Sequence, residues 1–105
     1  MNRPETARTY LERVIQVNPW RWQYHHLLAG ALFQNRDWEE AARACRQPLR
    51  LEPFNSTARR RLLVDCYLRL GWKEKAEAEF ETLLQLNPEN RRADLRRWFE
   101  NQGPR

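Results

Sequence analysis

Three prolines set the period of this chain. Pro19, Pro53 and Pro88 lie 34 and then 35 residues apart. Each follows Asn or Glu and a short apolar ending: Val14-Ile15-Gln16-Val17, Leu49-Arg50-Leu51 and Leu83-Leu84-Gln85-Leu86. An alanine stands 12 residues before each proline (Ala7, Ala41, Ala76), and an apolar residue or cysteine 8 before (Leu11, Cys45, Phe80). Proline lacks a backbone N–H and its ring clashes with the preceding helical turn, so it ends a helix at a fixed place. A period of this length marks a stack of short units, each too small to bury its own apolar face.

Between the prolines the apolar residues recur with helical rather than strand spacing, two helices to each unit. Residues 21–34 carry Tyr24, Leu27, Leu28, Ala31 and Leu32, and the next helix carries Ala41, Ala42, Cys45 and Leu49. Asp37 with Glu40 reads as a capping box opening that second helix, the Asp accepting from the Glu40 N–H and the Glu reaching back. Asn55 or Ser56 is expected to cap a helix through Leu63, Cys66, Tyr67 and Leu70. Gly71 then falls where a left-handed residue ends a helix at least cost. A further helix runs from about Lys73 through Ala76, Phe80 and Leu84. Residues 1–17, with Pro4 tolerated at the start, supply one earlier helix. Residues 91–101 supply a last one. The expectation is all-α, six antiparallel helices and no strands, divided as 1–19, 20–54, 55–90 and 91–105. Pro48 inside a helix is expected to bend or tighten its last turn, at about 3 kcal/mol if unrelieved. Trp72 is expected to pack against the preceding helix end.

These positions resemble the tetratricopeptide repeat, a 34-residue helix–turn–helix unit with a large residue, Leu-Gly/Ala, an aromatic, Gly, Ala, an aromatic, a small residue and Pro at fixed offsets. One copy is read in His25, Leu28-Ala29, Leu32, Ala41, Cys45 and Pro53. A second is read in Arg60, Leu63-Val64, Tyr67, Gly71, Ala76, Phe80 and Pro88, with one extra residue within Phe54–Ser56. Residues 5–19 match only the second helix of a unit, as if the chain were a piece of a longer array. Residues 91–101 match poorly and suit a solvating end cap. The resemblance implies a right-handed α-α superhelix whose first helices line a concave groove. Its groove positions fall on Gln23, His26, Gly30 and Phe33, on Ala58, Arg61, Asp65, Leu68 and Arg69, and on Arg92, Leu95, Arg96 and Phe99. Some members clamp a C-terminal carboxylate with Lys and Asn there. This chain departs from that clamp, with Asp65 in place of the Asn and no groove Lys.

Charge is sorted along the chain. Of 19 basic side chains only Lys73 and Lys75 are lysine, and the formal net charge is +5. Residues 54–72 carry net +3, residues 73–88 net −2 and residues 89–105 net +2. Combined with the implied groove, this places arginines on the inner helices and acids on the back. Arginine's planar fork binds carboxylates and phosphates and stacks on aromatics.

Other chemistry is poorly served. His25 and His26 are adjacent, so on a helix they point about 100° apart and cannot share a metal ion. Cys45 and Cys66 occupy apolar positions and read as small buried hydrophobes, which fits a reducing compartment such as the cytoplasm better than an oxidising one. With 3 glycines there is no phosphate loop, and no Ser-His-Asp arrangement or acid pair suggests catalysis. No apolar run reaches the ~18 residues of a membrane span. Of the five tryptophans, Trp38 and Trp98 read as packing rather than as base-stacking residues. The sequence therefore points to a non-enzymatic module without metal, cofactor or small-molecule substrate. The expected partner is a protein segment of acidic character, bound through Arg61, Arg92 and Arg96 with Phe33 and Phe99 as apolar contacts. A structural spacer, or a homodimer through the N-terminal helix, is the alternative. Nucleic-acid binding by the same arginines is the lesser reading.

Overall fold

The computed structural model describes residues 4–54 and 56–102, and within them contains six α-helices and no strand. The helices are α1 (Pro4–Val17), α2 (Trp22–Gln34), α3 (Trp38–Leu51), α4 (Thr57–Leu70), α5 (Lys73–Gln85) and α6 (Glu89–Asn101). Each packs on the next in chain order, most extensively α2 on α3, and α2 also touches α4. The result is a solenoid of antiparallel hairpins about 38 × 30 × 25 Å.

The positions in phase with the prolines are the packing positions. Ala29, Ala41 and Ala76 are completely buried, and so are Val64, Cys66 and Leu83. Small side chains at the crossings let two helix backbones approach, and the larger residues fill the space to the next hairpin. Leu83 is the largest of the fully buried side chains; truncating a residue of this kind costs about 2–5 kcal/mol. Cys45 and Cys66 are both buried and reduced.

The helix ends explain the turns. Gly71 has φ +76°, its N–H bonds to Leu68 O at 3.1 Å, and Trp72 N–H bonds to Tyr67 O at 2.9 Å. This is the doubly bonded left-handed stop expected of glycine. Trp72 is half-buried against the core, its ring 6.0 Å from that of Tyr67. The α2–α3 turn makes the same two bonds, Arg36 N–H to Phe33 O and Asp37 N–H to Leu32 O, with Arg36 at φ +65°. Here an arginine stands in the conformation that glycine takes without strain.

Side-chain caps from Asp37 and Ser56 do not form. The Asp37 side chain makes no cap hydrogen bond. Its carboxylate instead accepts from Asn35 Nδ2 at 2.8 Å and lies 3.7 Å from Arg8, while Glu40 pairs with the same Arg8 at 3.0 Å. A guanidinium from α1 thus takes both halves of the capping box and ties α1 to α3. Ser56 is the N-cap residue of α4 but does not cap it. Its hydroxyl donates to Pro53 O and accepts from Arg60 Nε. Asn55, the other expected cap, lies outside the described residues.

Pro48 is buried within α3, which continues to Leu51, and its carbonyl accepts from Glu52 N–H. The second acceptor site of that carbonyl takes Arg59 Nη1 at 2.9 Å. Arg59, not Arg60, is the residue buried in the large-residue slot, with 3% exposure. It also donates to the carbonyls of Glu52 and Phe54. His25 does the equivalent work one unit earlier, its Nε2 bonding Pro19 O at 2.8 Å. Arg60 is half-buried instead and pairs with Glu79 on α5 at 2.6 Å.

Helix α6 is held differently from the others. Its backbone makes little close approach to α5, so side chains bridge the gap. Leu95 is buried, and Phe99 stacks on Phe80 at 4.2 Å with 10° between ring planes.

Candidate functional site

Arg61, Asp65 and Arg69 follow one another at four-residue intervals on α4, so they form a single stripe along one side of that helix. Aromatic rings from neighbouring helices lie under both arginines. The Arg61 guanidinium carbon is 4.7 Å from the centroid of Trp98 on α6. That of Arg69 is 5.3 Å from Trp38 and 5.6 Å from Phe33. Phe33 and Trp38 meet edge to face at 4.9 Å. Between the arginines, Asp65 accepts from Arg69 Nε at 3.4 Å.

Each cation–π contact at such a partly exposed place contributes about 0.5–1 kcal/mol. Its larger effect is orientation. A guanidinium lying on a ring keeps its in-plane N–H groups available to a carboxylate. Arg69 is largely exposed, whereas Arg61 and Asp65 are half-buried.

The remaining expected groove residues divide in two. Gln23 and Arg96 are exposed. His26 is half-buried, with its ring 6.3 Å from that of Trp22, and its buried Nδ1 has no hydrogen-bond partner. Burial, and then the nearby Arg59 charge, hold its imidazole below the ordinary histidine range. Arg92 and Phe99 are engaged within the fold. Arg92 Nε donates to Leu84 O at 3.0 Å and Asn87 O at 3.1 Å, closing the end of α5, and Phe99 is occupied by Phe80.

Two residues were read from the sequence only as packing, Trp38 and Trp98. Both also face a guanidinium; Trp38 opens the helix before α4, and Trp98 lies on α6, two helices beyond it. No group of three or more His, Cys, Asp or Glu is gathered for a metal ion among the described residues. No helix of the structure is long and apolar enough to cross a membrane.

A family model for the tetratricopeptide repeat matches residues 1–56, and a second of the same description matches residues 62–90. The chain belongs to the tetratricopeptide repeat family. No curated protein and no solved structure matches the chain. Tetratricopeptide repeats generally mediate protein–protein interaction and are typically non-enzymatic. The first match spans α1 to α3, and the second spans most of α4 and all of α5.

Proposed function

We propose that this tetratricopeptide repeat chain binds an acidic segment of a partner protein across its first helices, α2, α4 and α6, which line the concave side of the superhelix in this family. The observation that supports it most is the α4 stripe. Two of its three charged residues are arginines, each laid on an aromatic face, and the single acid is already partnered by Arg69. Exposed Arg96 extends the basic character onto α6, and Phe33 supplies apolar surface beside Arg69. Arg61 and Arg69 would receive carboxylates, and Trp38 and Trp98 would report their arrival.

The test is a tryptophan-fluorescence titration with a capped glutamate-rich peptide and its lysine-substituted counterpart. The acidic peptide should bind, and Arg61→Ala with Arg69→Ala together should weaken it about tenfold or more, the equivalent of 1.4 kcal/mol. Binding indifferent to peptide charge, or unchanged in the double variant, would sink the reading. Binding of nucleic acid instead would fall steeply with salt in proportion to the phosphates contacted.

A second reading, self-association through α1, draws on that helix's outer face. Tyr10 and Val17 are 61% and 71% exposed there, beside a shallow depression of about 330 Å³ lined by Thr6, Thr9, Tyr10, Arg13 and Val14. A second copy of the chain packed here would remove these side chains from water. Light scattering over a concentration series decides it: a mass fixed at 12.8 kDa excludes self-association.

A further inference from the structure

The α3–α4 and α5–α6 turns come together around a half-open depression of about 520 Å³. Its apolar walls are Pro53, Phe54, Leu83, Leu86 and Pro88, and Arg91 stands at its margin. The volume is in the range of pockets that hold ligands or large side chains. None of these residues belongs to the α4 stripe, so this surface stands independently of the concave-face reading.

Phe54 and Leu86 are 70% and 50% exposed. Two large apolar side chains thus flank one concavity while standing largely in water, and covering them is favourable in proportion to the area removed from water.

The neutral polar groups lining the depression are satisfied internally. Thr57 Oγ1 donates to Asn87 Oδ1 at 3.2 Å, and Asn87 Nδ2 donates to Leu83 O at 2.8 Å. Ser56 Oγ donates to Pro53 O at 2.9 Å. The nearby carboxylate of Glu52 accepts from Phe54 N–H. Arg91 differs: it is exposed and makes no hydrogen bond or ion pair through its side chain with any described residue. An occupant must therefore offer apolar surface to the walls and negative charge to Arg91. It need not replace the side-chain hydrogen bonds of Ser56, Thr57 and Asn87, which are already made within the fold.

We infer that this depression is a second docking surface, and that it takes a partner-protein segment carrying a large apolar side chain next to an aspartate or glutamate. The apolar side chain enters between Phe54 and Leu86, and the adjacent carboxylate pairs with Arg91. A tetratricopeptide repeat chain so equipped holds a partner at the edge formed by its turns as well as along its helices.

The experiment is ¹H–¹⁵N NMR of the 105-residue chain titrated with the capped peptide Asp-Phe-Leu-Asp. Parallel titrations use Lys-Phe-Leu-Lys, Asp-Ser-Ser-Asp and phosphatidylglycerol vesicles. The expected result is saturable shifts at the amides of Phe54, Thr57, Leu86, Asn87 and Arg91. Binding should weaken at least about fivefold for the lysine peptide and for Arg91→Glu, and should disappear for the serine peptide. Phe54→Ser should also abolish it, and because Phe54 is exposed the variant's spectrum elsewhere should be unchanged. Absence of saturable shifts at these amides, shifts confined to α2 and α4, equal binding of the lysine peptide, or response to the vesicles alone would each overturn the inference.

Discussion

The guanidinium of Arg59 lies 4.1 Å above the ring of Trp22, joining α4 to α2. The same group donates to the carbonyls of Pro48, Glu52 and Phe54. One buried cation therefore sets the path of the α3–α4 turn and the spacing of α2 and α4 together. Burial pushes its basicity below the usual arginine range, yet a guanidinium stays charged in proteins, so its hydrogen bonds are charge-assisted. Arg59→Ala leaves the Glu52 and Phe54 carbonyls without this donor and should cost about 2–4 kcal/mol in urea unfolding. Arg59→Lys should recover less than half of that, because an ammonium cannot span the carbonyls as a planar fork does. Full rescue by lysine would show that charge alone matters at this site.

Arg36 and Gly71 make a matched pair of tests. They follow α2 and α4 in the left-handed region, at φ +65° and +76°. Arg36→Gly should raise stability by about 0.5–1 kcal/mol, since Arg36 is exposed and the strain of a side chain there is relieved. Gly71→Ala should lower it by about 1 kcal/mol through backbone strain, because a Cβ at Gly71 would meet nothing within 4 Å. Thermal or urea unfolding of the two variants gives both signs.

His26 predicts a pH dependence. Its folded pKa lies below the ordinary value of 6.5, through burial first and the Arg59 charge second. As pH falls through 6.5 the unfolded chain takes up a proton that the folded chain resists, so stability is lost from that point down to the folded pKa. Above 6.5 this contribution is fully present. His26→Gln should remove this component of the slope below pH 6.5, and urea midpoints measured as pH falls from 6.5 check it. An unchanged slope would mean that His26 does not titrate differently in the two states.

Cys45 and Cys66 sit side by side in the core. Contact with the Cys66 thiol, and then burial, push the Cys45 thiol above the ordinary range. Thiolate is the reactive form and both cysteines are buried, so burial alone should keep either from reacting with a disulfide reagent in the folded protein. Labelling should instead follow unfolding as urea rises. Prompt labelling of native protein would place one of them at the surface.

Much of the helix layout was legible in the sequence, because the marks involved are short-range. Pro19, Pro53 and Pro88 stop helices by geometry internal to the chain, and Ala29, Ala41 and Ala76 are small where helices must cross. Gly71 was legible for the same reason, since a positive φ is a local demand. The capping box at Asp37 and Glu40 was a correct local pattern overridden by a distant residue: Arg8, about thirty positions earlier, takes both carboxylates. Arg36 could not be read, because its left-handed conformation is imposed by the packing of α2 on α3 and not chosen by the side chain. Arg60 was read into the buried slot, but it is Arg59 that reaches the Pro48, Glu52 and Phe54 carbonyls and is buried, because those acceptors come from a turn the local pattern does not show.

The candidate site divides along the same line. The family resemblance put Arg61, Asp65 and Arg69 among the groove positions of one helix, and their four-residue spacing lines them up along one side of α4. Which aromatics lie under those arginines, and that Arg92 and Phe99 are spent on holding α6, depended on how helices far apart in sequence settle against one another. A repeat specifies its units through local stops and small residues. The rings and charges that face each other between units are set only when the units stack, because each interface is built from side chains that do not meet until then.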